Sequence, residues 1–154
     1  MGEQQVCTDL IAQFEQLGVT ADRLILRSAS NRIDYLKTYQ EIDIALDPFP
    51  LVGGTTTVES LWMGVPVLTL SGATVMSHQG ESILRTAGLD DWVAFTQNEY
   101  FSRAVAFASD LDGLVMLRAH LRQKIVDSPL CDAPRFAQNL QQVLRSLWQV
   151  WCSK

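Results

Sequence analysis

The stretch Asp43-Ile44-Ala45-Leu46-Asp47-Pro48-Phe49-Pro50, continued by Gly53-Gly54-Thr55-Thr56-Thr57-Val58-Glu59-Ser60-Leu61-Trp62-Met63-Gly64-Val65-Pro66-Val67, decides the fold. It reads as a buried strand, a glycine-threonine turn, a helix of two turns and a second strand. Thr56 stands where an N-cap is needed, Glu59 three residues on completes a capping box, and Gly64 followed by Pro66 supplies the stop. Gly53 and Gly54, which carry no Cβ, let a ligand approach the backbone. The helix start then offers free N–H groups and the positive end of the helix dipole. This is an anion-binding geometry, although strand-to-helix turns also use Gly and Thr with no ligand bound.

The same strand-helix rhythm extends outward. Apolar Val6, Leu10, Ile11, Phe14 and Leu17 recur at helical spacing over residues 5–17, and Gly18 closes that helix. Leu24-Ile25-Leu26 suits a short buried parallel strand. A helix is expected over residues 32–41, with Ile33, Leu36, Tyr39 and Tyr35 on its inner side, followed by strands at 44–46 and 65–70. Further on, the pattern predicts a helix over 77–87 stopped by Gly88, a strand at 92–94, and helices over 98–108, 111–126 and 134–151. Four strands alternating with helices imply βα units, hence an α/β fold with a Rossmann-like parallel sheet flanked by helices. In such sheets ligands bind beyond the carboxyl ends of the strands, where the glycine-threonine turn falls.

Length and composition narrow the field. A chain of 154 residues with 47% hydrophobic content suits a single domain with a sizeable core. The net charge of −5, with no basic stripe, argues against nucleic-acid binding. Cys7, Cys131 and Cys152 form no ligand pattern and read as reduced thiols, and no apolar run approaches a membrane span. A cytoplasmic protein, with no membrane partner, is the expectation.

The run from Ile42 to Val67, together with Ser128-Pro129-Leu130-Cys131-Asp132-Ala133-Pro134-Arg135-Phe136, resembles the C-terminal catalytic region of the O-GlcNAc transferase family, most of all its bacterial SPINDLY-like members. Weaker similarity extends from Asp9 to Trp151. The resemblance implies a GT-B glycosyltransferase with two Rossmann-like domains that transfers a sugar, typically from UDP-N-acetylglucosamine, to protein Ser or Thr hydroxyls. It also implies that residues 1–154 are one incomplete C-terminal nucleotide-sugar-binding domain, lacking upstream βα units and a lysine that meets the donor diphosphate. The acceptor protein would be met through that upstream domain, and the chain by itself is expected to show little transfer activity.

Carried over position by position, the resemblance places the donor diphosphate on Thr55 and Thr56, with Gly53, Gly54 and Thr57 beside them, and the ribose on Glu59. A carboxylate accepts two hydrogen bonds from a vicinal diol more strongly than an amide does, yet the same Glu59 is also the far end of the capping box. Uracil falls to Ser30, Arg32 and Tyr35, where Tyr35 replaces a stacking histidine. Core packing for Tyr35 and solvation for Arg32 are the competing structural roles. No catalytic residue is assignable here; His78 stands where the family has arginine, and His120 reads as solvated. Asp43 and Asp47 read as strand-end and turn residues. No metal or cofactor is expected, the UDP-sugar being a substrate. The alternatives are a non-catalytic interaction remnant of such an enzyme, or another nucleotide-binding α/β domain; the absence of Gly-x-Gly-x-x-Gly lowers the dehydrogenase version of the latter.

Overall fold

The computed structural model describes residues 3–153, which divide between Tyr35 and Leu36 into two compact units. In the first, α1 (Glu3–Gln16) ends as the sequence predicts. Gly18 takes φ +84°, while the Val19 N–H returns to the Phe14 carbonyl at 2.9 Å and the Gly18 N–H to Glu15 at 3.0 Å, satisfying the last carbonyls. A 3-10 turn at Ala21–Arg23 follows. The strand expected at Leu24–Leu26 does not form: no ladder includes these residues, and Ile25 is 75% exposed. An apolar run favours burial but carries no backbone partner with it, and a strand exists only where a neighbour completes its hydrogen bonds. The sheet therefore has three strands, not four.

The helix α2 (Arg32–Thr38) tightens into a 3-10 turn at Tyr39–Glu41, together covering the expected 32–41 span. Tyr39 is buried, as the periodicity expects, whereas Ile33, expected on the same inner side, is 69% exposed.

The second unit holds the sheet. The strands β1 (Ala45–Leu46), β2 (Val67–Leu70) and β3 (Val93–Ala94) run parallel in that order, with Ala45 opposite Val67 and Thr69 opposite Val93. The helices α3 (Thr55–Trp62), α4 (Gln79–Thr86) and α5 (Gln97–Ser109) pack on β2, and α6 (Leu111–Val126) packs on α3 and α5. The exit from α3 is closed like that of α1. Gly64 takes φ +81°, the Val65 N–H bonds the Ser60 carbonyl at 2.9 Å, and the chain is turned straight into β2. Side-chain caps open the later helices: Thr96 accepts the Glu99 N–H, Asp110 that of Gly113, and Asp132 that of Arg135.

Leu61, Leu68, Leu84 and Leu121 are wholly buried and form the centre of one apolar cluster with Trp92, Val93 and Ile125. The last helix, α7 (Ala133–Cys152), buries none of its residues; Leu147 is 61% exposed and Trp151 72%. No helix among the described residues is long and apolar enough to cross a membrane. Replacing Leu121, wholly buried on α6, with Ala should cost about 3 kcal/mol of unfolding free energy, the usual price of an unfilled leucine cavity. Urea denaturation measures it, and a loss below about 1 kcal/mol would show that α6 is not part of the core.

Candidate functional site at the start of α3

Beyond β1 the chain is tied down by one side chain. Asp47 continues the ladder through its N–H to the Leu68 carbonyl at 2.9 Å and is 5% exposed. Its Oδ1 accepts the Gly53 N–H at 2.7 Å and its Oδ2 accepts the Thr69 hydroxyl at 2.8 Å, so a loop residue and the central strand share one carboxylate. The Tyr100 hydroxyl, from α5, donates to the Asp47 carbonyl at 3.0 Å. Burial raises the Asp47 pKa above its ordinary value, and the bonds from Gly53 and Thr69 oppose that rise. The turn is built to close tolerance. A Cβ on Gly53 would lie 2.6 Å from Thr56 Oγ1 and 2.7 Å from Thr57 Oγ1, and one on Gly80 would strike the Thr69 hydroxyl.

The helix α3 starts two residues earlier than the sequence suggests. Gly54 is the N-cap and no side chain caps the helix, so the capping box of Thr56 and Glu59 is not formed. The physical reason is the Asp47 bond: it draws Gly53 toward the sheet, the chain enters the helix at Thr55, and Thr56 is then inside it with its hydroxyl past the capping position. The first intrahelical bond runs from the Val58 N–H to the Gly54 carbonyl at 3.2 Å. The N–H groups of Thr55, Thr56 and Thr57 have no partner among the described residues. The Thr57 hydroxyl, on a residue only 2% exposed, is also unpartnered. Buried polar groups are rarely left so. Beside them lies a cavity of about 160 Å³ lined by Tyr39, Asp47, Thr56, Thr57 and Ser60 among others.

The structure thus brings Gly53, Gly54, Thr55, Thr56, Thr57 and Glu59 onto one turn and one helix. Gly53 has its N–H committed to Asp47, so it serves the turn by lacking a side chain. Glu59 is half-buried and lies four residues after Thr55, on the same strip of α3 and one turn further from its start. Ser30, Arg32 and Tyr35 belong to the first unit. There Asn31 caps α2 by accepting the Asp34 N–H at 3.0 Å, Ser30 and Arg32 are exposed, and Tyr35, on the same side of α2 as Arg32, is half-buried.

At the carboxyl end of β2, Ser71 and His78 both meet Glu81. The His78 Nδ1 lies 2.8 Å from Glu81 Oε2 and 3.1 Å from Ser71 Oγ, and Arg85 pairs with Glu81 at 2.9 Å. The Ser71 hydroxyl, then His78, hold the Glu81 pKa below its ordinary value. With Ser71 and Glu81 on the same ring nitrogen, this is not a nucleophile-base-acid relay, and His78 acts as a helix-start partner. Asp43 is exposed and pairs with Arg118 at 2.9 Å, and the exposed His120 bonds the Met116 carbonyl. Sequence reasoning placed Asp47 as a turn residue but missed its bonds to Gly53 and Thr69. The one available signal was an acidic residue directly after a strand otherwise apolar.

The family model described as Glycosyl transferase family 41 matches residues 1–140. The chain belongs to glycosyl transferase family 41. Among family members, the probable UDP-N-acetylglucosamine–peptide N-acetylglucosaminyltransferase SPINDLY of Solanum lycopersicum is 40% identical over 152 residues, covering 95% of this chain and 16% of that protein. The UDP-N-acetylglucosamine–peptide N-acetylglucosaminyltransferase of Caenorhabditis elegans is 27% identical over 132 residues, covering 86% of this chain and 12% of that one. A solved structure of a mutant O-GlcNAc transferase from Thermobaculum terrenum superposes with a TM-score of 0.87 at 41% identity, over 96% of this chain and 28% of that one. The chain therefore spans between about an eighth and a little over a quarter of these relatives, and the expected Rossmann-like fold of the glycosyltransferase family is the one observed.

Burial, and then the charge of Asp47, raise the Tyr100 pKa from 10.0 to about 12. The folded chain keeps a phenol proton that the unfolded chain has lost, so the contribution of Tyr100 to stability is intact below pH 10.0 and is lost as pH rises toward about 12. Comparison of wild type with Tyr100→Phe by denaturant titration at stepped alkaline pH should show a smaller fall in the variant; parallel curves would contradict the assignment.

Proposed function

We propose that this chain is the nucleotide-sugar-binding part of a family 41 glycosyltransferase that uses UDP-N-acetylglucosamine to modify Ser or Thr hydroxyls of proteins. One observation carries the reading: three successive unpartnered N–H groups at Thr55, Thr56 and Thr57, with the unpartnered buried hydroxyl of Thr57 beside them, at the positive end of α3. A diphosphate supplies the acceptors that this cluster lacks. The names of the relatives from Solanum lycopersicum and Caenorhabditis elegans, both UDP-N-acetylglucosamine–peptide transferases, favour UDP as the nucleotide.

In the transfer, the bond between the sugar C1 and the diphosphate oxygen breaks and a bond from C1 to the acceptor oxygen forms, while the acceptor proton passes to a base. The role of this chain is on the leaving-group side. Charge that develops on the departing UDP meets fixed N–H donors, which need not reorganise as it grows. Glu59 accepts from the ribose hydroxyls one helical turn beyond Thr55. For the uracil, the family resemblance points to Ser30, Arg32 and Tyr35 of the first unit, the ring of Tyr35 having a stacking face. The base and the acceptor contacts come from residues outside the chain, so no sugar transfer is expected from it unaided.

Calorimetric or NMR titration of the chain with UDP, UDP-N-acetylglucosamine and NAD tests this. The uridine ligands should shift the amides of residues 53–59 and NAD should not; Glu59→Ala should weaken UDP by about tenfold, the scale of losing a charge-assisted hydrogen bond. Equal responses to UDP and NAD, or shifts elsewhere alone, would overturn the reading.

A further inference from the structure

We propose that Asp47 is a positioning residue for the diphosphate site, holding the turn of residues 53–57 in its ligand-ready shape through its paired bonds to the Gly53 N–H and the Thr69 hydroxyl. The proposal rests on the donor-binding reading above. Asp47 does not present itself to a ligand: both of its oxygens are engaged, at 2.7 and 2.8 Å, and the residue is 5% exposed. It acts through Gly53.

Three observations converge on this role. The first is which N–H Asp47 takes. It engages Gly53, the residue just before the N-cap, and leaves the three N–H groups of Thr55, Thr56 and Thr57 pointing out of the helix start together. The second is tolerance. Gly53 is so close to the Thr56 and Thr57 hydroxyls that even a methyl group does not fit at 2.6 and 2.7 Å, and Gly80 on α4 is pressed equally close to Asp47 and Thr69. A turn packed this tightly has one arrangement, and the carboxylate bridges its two walls. The third is cost. A buried carboxylate is expensive even when hydrogen-bonded, and the adjacent Thr57 hydroxyl is buried with no partner at all. Two unfavourable polar burials side by side are poor material for a scaffold; they fit a site whose shape is maintained for a ligand.

The experiment uses the whole 154-residue chain. UDP affinity is measured by calorimetry, and the amides of Thr55 to Thr57 are followed by NMR without ligand, for wild type, Asp47→Ala, Asp47→Asn, Thr69→Val and, as a destabilised core control on α6, Leu121→Ala. All measurements are made below each variant's unfolding transition. Asp47→Ala should bind UDP at least about tenfold more weakly, the scale seen when supporting hydrogen bonds around a held ligand are lost, and its Thr55 to Thr57 amides should move before any ligand is added. Asp47→Asn keeps a carbonyl for the Gly53 N–H and should restore most of the affinity. Leu121→Ala should bind as wild type does.

A merely structural Asp47 predicts the opposite pattern: a folded Asp47→Ala that binds like wild type, or a Leu121→Ala that loses as much affinity. Either result overturns the positioning role while leaving donor binding intact. If wild type itself fails to bind UDP, the donor reading falls and this proposal falls with it. Should Asp47→Ala not fold, Thr69→Val decides, because it removes one of the two bonds; unmoved turn amides and unchanged affinity in that variant would refute the proposal.

Discussion

The Asp47 carboxylate, shared between the Gly53 N–H and the Thr69 hydroxyl, is the contact on which the second unit's geometry turns. One oxygen belongs to the loop and the other to the central strand, so the path of the chain between β1 and α3 is referred directly to β2. Everything next to this bridge adapts to it. Gly53 and Gly80 are glycines because their neighbours leave no room for a Cβ, α3 begins at Thr55, and Tyr100 closes the back of the bridge through the Asp47 carbonyl. A carboxylate in this position is weakly justified as a source of stability, since desolvation takes back most of what its bonds contribute. It makes better sense as a geometric fixture.

The chain as a whole is acidic, with a net charge of −5, yet the site proposed at the start of α3 would take an anion. The two facts do not conflict once distances are compared. Surface charges farther than a screening length of about 8 Å at physiological ionic strength contribute little, whereas the N–H groups of α3 act at hydrogen-bond distance and in a fixed direction. Local backbone geometry outweighs global charge. Glu59 lies a full turn from the helix start, which keeps its own negative charge away from the N–H groups while leaving it on the same strip.

Most helices were legible in the sequence because their signals are local. The span of α6, residues 111–126, was read without error, and α5 and α7 were read to within a residue at each end; a side-chain cap opens each of the three. The glycine-threonine turn between β1 and α3 was legible for the same reason: it occupies five consecutive residues. What could not be read depends on contacts between distant residues. Leu24–Leu26 had the composition of a strand but no strand to pair with, and Ile33 had an inward position in the helical period yet is 69% exposed. The two bonds of the Asp47 bridge reach six and 22 residues further along the chain, and so leave no periodic trace. It also explains the one error at the site itself, the start of α3, because a tertiary bond overrode the cap that Thr56 and Glu59 offered.

Helix α7 contrasts with this tightly referenced centre. All 20 of its residues lie outside the buried core, although Asp132 caps it well and Pro134 suits its first turn. Its helicity is therefore sustained by local forces, and a lone helix of this length is only marginally stable in water. Unwinding α7 would sacrifice almost no buried apolar surface, so the segment forms a separate cooperative unit whose amide protons exchange with solvent long before those of β2 or α6. The folded chain thus has two levels of stability along its length, a sheet region that opens only on global unfolding and a terminal helix that opens by itself.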